Sequence, residues 1–579
     1  MDDMTVSPEP QAAAPDELYD ALSALAAAVA TVPFVLEIPG IEEARAAQRV
    51  VTDQLSDYVL PRLENLDAPL LVVVGGSTGS GKSTLVNSIV GKRVTETGVL
   101  RPTTRTPVLV HHPADTEWFT KGSLLPDFVR TGSNSRRANT VRQIACSQLW
   151  PGVAVLDAPD FDSIDESNRE MAEQLLAAAD LWLFVTSAAR YADNVPWEHL
   201  RKAAERHASI AVVLDRTSPE GMRQVRRHLA QMLTEHGLSN VALFSVPEST
   251  PNAQGVLPAA DVAQIVMWLR QMAADSQARR EIVLSTLQGA IVHDIDAARR
   301  LAGDLDRQIV AADQLFEDVR RVYAESLDTV LAQASDGTML RGEVLARWQE
   351  YVGSGEIFRS LEAKVGTIRD RLFVKRKSTV EAEDVEHAAT TGLHLLILDQ
   401  AERAAEASAR TWAQQSAGRA LLESHRGLDR ASRDVRIRAE RIAREWREAV
   451  FELVSQEGAG RKTKAKVLSY GVNATGVALM VVVFAGTAGL TGVEIGIAGG
   501  TAVAGQKLLE AVFGDQAMRE LAKAAREDLR MRISDLFESE AMRYLDLLPN
   551  PEELRHSAWE IDRAIEELDE GEPASERLS

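Results

Sequence analysis

A single cysteine, Cys146, stands in 579 residues, so no internal disulfide can form. With no secretory signal at the start, that points to a reducing cytoplasm. Cys146 lies alone among polar and apolar neighbours and reads as a buried strand residue. No His/Cys cluster has zinc spacing, which argues against a structural metal. Basic charge is also in short supply. Lys and Arg number 64 against 85 Asp and Glu, a formal net charge of −21. Nucleic acid is therefore excluded as the main partner, since phosphate backbones need a basic surface. Aromatic residues make up only 5%, while Ala, Leu, Arg and Glu are plentiful, a balance that favours helix.

The chain is too long for one core and should divide into several domains. Residues 1–15 are polar and Pro-rich and read as a disordered tail. Apolar residues at helical spacing over 16–32 and 41–66 predict N-terminal helices, in a segment 16–66 expected to pack on a helical bundle. From Pro69 the pattern changes. LLVVVGG, VAVLDAP (153–159), LWLFVTS (181–187), IAVVLDR (210–216) and VALFSVP (241–247) are short apolar runs, mostly separated by helical segments. That alternation predicts a doubly wound, mostly parallel α/β sheet over 67–255. Residues 256–460 read as a long α-helical bundle or stalk, interrupted at 335–341 and 353–356.

The strongest compositional anomaly follows. The basic cluster RKTKAK (461–466) leads into a run without charge over 467–490, then a weakly polar half carrying only Glu494. The run is long enough to cross about 30 Å of hydrocarbon as a helix. Gly492, Gly496, Gly500 and Ala504 recur every four residues and make one small face. Residues 461–510 are thus a hydrophobic helical hairpin, a candidate for membrane contact, with a buried soluble hairpin as the alternative. Helices over 511–570 are expected to return to the bundle, and 571–579 form an acidic tail.

The pivotal motif is Gly76-Ser77-Thr78-Gly79-Ser80-Gly81-Lys82-Ser83, followed by Thr84. It fits G-x-x-x-x-G-K-[ST] between an apolar strand and a helix, as a P-loop requires. Glycines let backbone N–H groups wrap phosphates, Lys82 reaches the β- and γ-phosphates, and Ser83 ligates Mg²⁺. In RPTTRTP (101–107), Thr103 or Thr104 could close on Mg²⁺ and the γ-phosphate, and Thr104 is preferred. Asp157, ending the VAVLD strand, would hold Mg²⁺ through water. The loop carrying Arg190-Tyr191-Ala192-Asp193 could line a dimer face or be an ordinary loop. His111-His112 should end a strand.

The P-loop, RPTT, DAPDFDS and VLDR, with helices on both sides of the α/β domain, resemble bacterial dynamin-like and related Era-type GTPases. The resemblance implies binding and hydrolysis of GTP with Mg²⁺, nucleotide state coupled to a helical stalk, and a homodimer or a related GTPase chain as partner. It also implies membrane lipid contact, peripheral or by the hairpin, at the inner face of the cell membrane. Four departures stand out. Asp160 replaces the glycine of Asp-x-x-Gly. A carboxylate facing a phosphate at about 4 Å would cost roughly 1 to 4 kcal/mol, so Asp160 should point away. Phe161 stands where small Ras-like enzymes place a water-orienting glutamine, and Thr78 where dynamins place a P-loop glutamine. The base-reading motif becomes Asp215-Arg216-Thr217-Ser218, leaving Asp215 to take guanine's hydrogen bonds and the Arg216 stem to stack on the base. Two other functions stay open: a GTP-regulated scaffold with negligible turnover, and an ATP-dependent P-loop enzyme acting on a protein.

Overall fold

The computed structural model describes residues 15–96, 106–120, 124–125, 128–132, 140–163, 166–205, 208–218, 220–239, 241–335, 378–457 and 514–569. Thr103, Thr104, the interruptions expected in the bundle, the hydrophobic hairpin and both tails fall wholly or mainly outside them. The chain divides into two compact units, one of 1–34, 40–307 and 552–579, the other of 35–39 and 308–551.

The first unit opens with α1 (Pro15–Ala30), α2 (Ile41–Gln54), a π turn (Leu55–Val59) and α3 (Leu60–Glu64). Pro61 has no N–H to give the carbonyl four residues back, which accounts for the loosened ladder at that turn. Then follow β1 (Leu70–Gly76), α4 (Lys82–Val90), β2 (Val108–His111), α5 (Thr116–Thr120), β3 (Val129–Thr131), β4 (Thr140–Ala145) and β5 (Val153–Asp157). Next come α6 (Glu166–Ala177), β6 (Leu181–Ser187), α7 (Asn194–Glu205), β7 (Ser209–Thr217), α8 (Met222–Glu235), β8 (Ala242–Pro247) and α9 (Ala259–Ala274). The strands form one eight-stranded sheet, ordered β3-β4-β2-β5-β1-β6-β7-β8. Every pairing is parallel except β2 with β5.

β1 is buried along its whole length because it is central, flanked by β5 and β6. The period of two sorts side chains onto the two faces. Leu70, Val72, Val74, Leu183, Val185 and Val213 join a core closed by α4 and α9. Trp182, Phe184, Val212 and Leu214 join the opposite core with Phe161, Trp197 and Leu200. Cys146 is buried one residue past β4, its N–H donating to the carbonyl of His111, which ends β2.

The segment 16–66, expected on the bundle, divides differently. Residues 40–66 belong with the α/β domain, and a buried pair explains it: Arg62 Nε lies 3.0 Å from Asp180 Oδ1 just before β6, both side chains 1% exposed. Tyr58 also donates to Asp180 Oδ1 at 3.2 Å, and Gln174 donates to Asp57 at 2.6 Å. The first part of helix α10 (Ser276–Ser335) belongs to this unit too, as do residues 552–569, whose helix (Pro551–Asp569) buries Leu554, Ile561, Ile565 and Leu568.

In the second unit the described residues are helical apart from their links. The helices Ser378–Trp412, Ser416–Ser424, Val435–Glu457 and Asp515–Leu545 accompany the rest of α10. Its core includes Leu315, Val319, Ile397, Ala439, Ile533 and Phe537. Indole N–H groups set the register between helices: Trp412 donates to Leu315 O at 3.0 Å and Trp446 to Ala525 O at 2.7 Å.

Candidate functional site

The P-loop joins the end of β1 to α4, which begins at Lys82 and ends before Gly91. Two glycines in it have steric reasons. A Cβ on residue 76 would strike the carbonyl of Val185 on β6, and one on residue 81 would strike Asp215 Oδ2. Gly81 also has φ +99°, where side chains are strained. The loop is therefore packed tightly between β6 and β7.

Lys82 is 5% exposed and folds back over this loop. Its Nζ donates to the carbonyls of Gly76 (2.7 Å) and Ser77 (3.1 Å) and to Asp160 Oδ1. Asp160 thus points at the lysine and not away from it. The expectation had weighed the carboxylate only against a phosphate, whereas a buried ammonium beside it needs a countercharge.

Beneath Lys82, the Ser83 hydroxyl donates to Asp157 Oδ2 at 2.7 Å. Asp157 is fully buried, and burial raises its carboxyl to about 6, opposed by Ser83 and Lys82. Its Oδ1 and the hydroxyl of Ser80 are both buried without a hydrogen-bond partner. Hydroxyl and carboxylate oxygens with spare acceptor capacity are a donor set suited to Mg²⁺. The structure thus brings together Gly76 to Ser83, Asp157 and Asp215.

Asp215 is 6% exposed, its carboxyl raised to about 6 by burial against the help of the Arg216 N–H. Arg216 is half-exposed and holds φ +53°, at an irregularity in the β7–β8 pairing. Thr84 follows Ser83 in the first turn of α4. Thr104 lies outside the described residues.

Three residues of this site, Asp162, Asn87 and Thr95, have no assignment from the sequence, and Arg190, read there as part of a dimer face or an ordinary loop, contacts the P-loop tip. Asp162 Oδ1 accepts from the N–H (2.6 Å) and hydroxyl (2.7 Å) of Thr78, at the tip of the P-loop. Arg190 pairs with Asp162 at 2.9 Å, pairs with Asp193 at 2.9 Å, and donates to Thr78 O at 3.0 Å. Hydrogen bonds from Thr78 and the guanidinium of Arg190 hold the Asp162 carboxyl low, against the burial that would raise it. The buried Asn87 accepts from the N–H groups of Val94 (2.8 Å) and Thr95 (2.9 Å), anchoring the chain as it leaves α4. Thr95 in turn donates to Ser83 O at 3.2 Å. Phe161 is 1% exposed and packs on Phe184, Trp182 and His199, so it orients no water. No periodic pattern signalled this: residues 160–163 form a turn, closed by Ser163 N–H on Asp160 O, that puts the ring in the core and the two carboxylates on Lys82 and Thr78.

Against known families, residues 72–216 match the model described as "Dynamin family". A probable transmembrane GTPase, FZO-like and chloroplastic, from Arabidopsis thaliana is 26% identical over 135 residues. That match takes in 23% of this chain and only 13% of the relative's length. Among solved structures, one from work on an oligomerised bacterial dynamin pair that senses and tethers membranes covers 98% of this chain and 96% of its own, at 11% identity and TM-score 0.43. Aquifex aeolicus Era covers 34% of this chain and 56% of its own, at 17% identity and TM-score 0.23. Both likenesses are distant. With the family match set on an eight-stranded, mostly parallel sheet and a P-loop at the end of its central strand, residues 72–216 are a dynamin-like GTPase domain.

Proposed function

We propose that the chain binds GTP with Mg²⁺ and hydrolyses it slowly, coupling nucleotide state to its helical part at a membrane surface. The observation that carries this reading is the buried Lys82 over the Ser83–Asp157 pair, at the mouth of a P-loop closed by Gly76 and Gly81. Ser83 and, through water, Asp157 would hold Mg²⁺, which supplies charge neutralisation on the phosphates. Backbone N–H groups from Gly76 to Ser83 cradle the phosphates, and Lys82 meets the terminal ones. Thr104, outside the described residues, would be the switch threonine for Mg²⁺ and the γ-phosphate. Asp215 and the Arg216 stem read the base, and guanine is favoured by the family alone. Membrane contact rests on the uncharged run 467–490, outside the described residues; among the described helices none is long and apolar enough to cross a membrane. The setting would be the cytoplasmic face, with a second GTPase domain, from a like or a related chain, as partner.

One observation favours a regulated scaffold with negligible turnover instead. Phe161 is locked into the core and Asp160 holds Lys82, so neither of these two side chains is placed to activate water.

Nucleotide binding and hydrolysis by the full chain, GTP competed against ATP, with and without anionic liposomes, separate these readings. GTP turnover that rises on liposomes supports the membrane GTPase. Tight binding without turnover in either condition supports the scaffold. ATP displacing GTP at equal concentration would overturn the base assignment. The Lys82→Ala variant is expected to keep its fold and lose nucleotide affinity by roughly a hundredfold, as charged hydrogen bonds to phosphate disappear.

A further inference from the structure

We propose that Asp160 is a specificity-determining residue: its carboxylate sits on Lys82 where a terminal phosphate would, and so biases the site towards nucleoside diphosphate. The inference rests on the P-loop reading above. Lys82 has three donors, and Gly76 O, Ser77 O and Asp160 take all three. A terminal phosphate must therefore displace a partner, and the carboxylate is the one on a separate segment.

That segment is anchored on both sides of the carboxylate. Ala158 at its start donates its N–H to Val74 O of β1. Phe161 is stacked in the core on Phe184. Asp162 is held by Thr78 and Arg190. Asp160 can rotate its side chain but cannot carry its backbone far from the loop, so repulsion of a γ-phosphate persists after displacement. A diphosphate meets Lys82 through its β-phosphate alone and brings no γ-phosphate against the Asp160 carboxylate, so it meets less of the repulsion.

The test is titration calorimetry of GDP and of the non-hydrolysable triphosphate GMPPNP, with Mg²⁺, on the full chain and its Asp160→Asn and Asp160→Gly variants. Removing one charge at contact distance from the terminal phosphate is expected to raise the triphosphate-to-diphosphate affinity ratio by roughly tenfold or more in each variant. Thermal unfolding identifies any variant that has lost its fold, and the other then decides. A ratio within about twofold of the parent in a folded variant overturns the proposal. Lys82→Ala serves as the control. If the parent binds neither nucleotide, or Lys82→Ala binds as the parent does, the P-loop reading itself has failed. If Lys82→Ala loses binding while the ratio stays put, only the role of Asp160 has.

Discussion

Complete burial at the end of β5 leaves the Asp157 carboxyl titrating at about 6 instead of 3.8. The folded chain therefore holds this proton more tightly than the unfolded chain. Stability contributed here falls as pH rises from 3.8 towards 6, and above 6 the full cost of the buried charge is present. Mg²⁺ draws on the ionised form, so its binding should weaken as pH drops through about 6. Asp157→Asn keeps an oxygen for the Ser83 hydroxyl and removes the charge. At pH 7.5 and without nucleotide it is expected to raise stability by about 1–3 kcal/mol, seen as a higher denaturation midpoint. The same variant should lose the Mg²⁺ dependence of nucleotide binding. A lower midpoint would mean that the carboxylate is not a burden on the fold.

Between β5 and α6, a short loop turns one ring and two carboxylates in opposite directions, and through Asp162 it grips the tip of the P-loop. Asp162→Ala would free the N–H and hydroxyl of Thr78 and leave Arg190 with Asp193 and the Thr78 carbonyl. Nucleotide affinity is expected to fall by roughly 5–10-fold, about 1 kcal/mol, as the loop loses preorganisation. Unchanged affinity in calorimetry would show that the P-loop holds its shape without the clamp. The P-loop and Asp157 were legible in the sequence because their chemistry imposes residue type, spacing and position at strand ends. The clamp was not, because Thr78 meets partners 84 and 112 residues away. The central strands were legible as unbroken apolar runs. β3 and β4 were not, for VRT and TVRQIA are partly exposed and mix polar with apolar residues at the sheet's edge. Within 41–66 the helical spacing of apolar residues was legible, but nothing in it marks Arg62, which is buried.

At the scale of the whole molecule, motifs and compact units follow different boundaries. The family match runs over 72–216 and the strand pattern over 67–255, yet the unit that contains them also takes residues 40–66 and 256–307. The reason is local to Asp180. Its Oδ2 accepts from Leu71 N at 2.7 Å, its Oδ1 meets Arg62 and Tyr58, and its carbonyl accepts from Thr286 at 3.1 Å. Burial holds this carboxyl above the usual range even with Arg62 beside it. Arg62→Ala should therefore destabilise the chain by about 3–5 kcal/mol, the cost of leaving a buried charge uncompensated, measurable by denaturant unfolding. A midpoint unchanged from the parent would show that Asp180 is accommodated without its partner. The same residue decides how the nucleotide-binding part can be cut free for study. A fragment of 67–255, trimmed where the motifs stop, would carry an orphaned carboxylate beside its central strand, and any loss of nucleotide binding in that fragment would report a damaged fold, not a faulty P-loop.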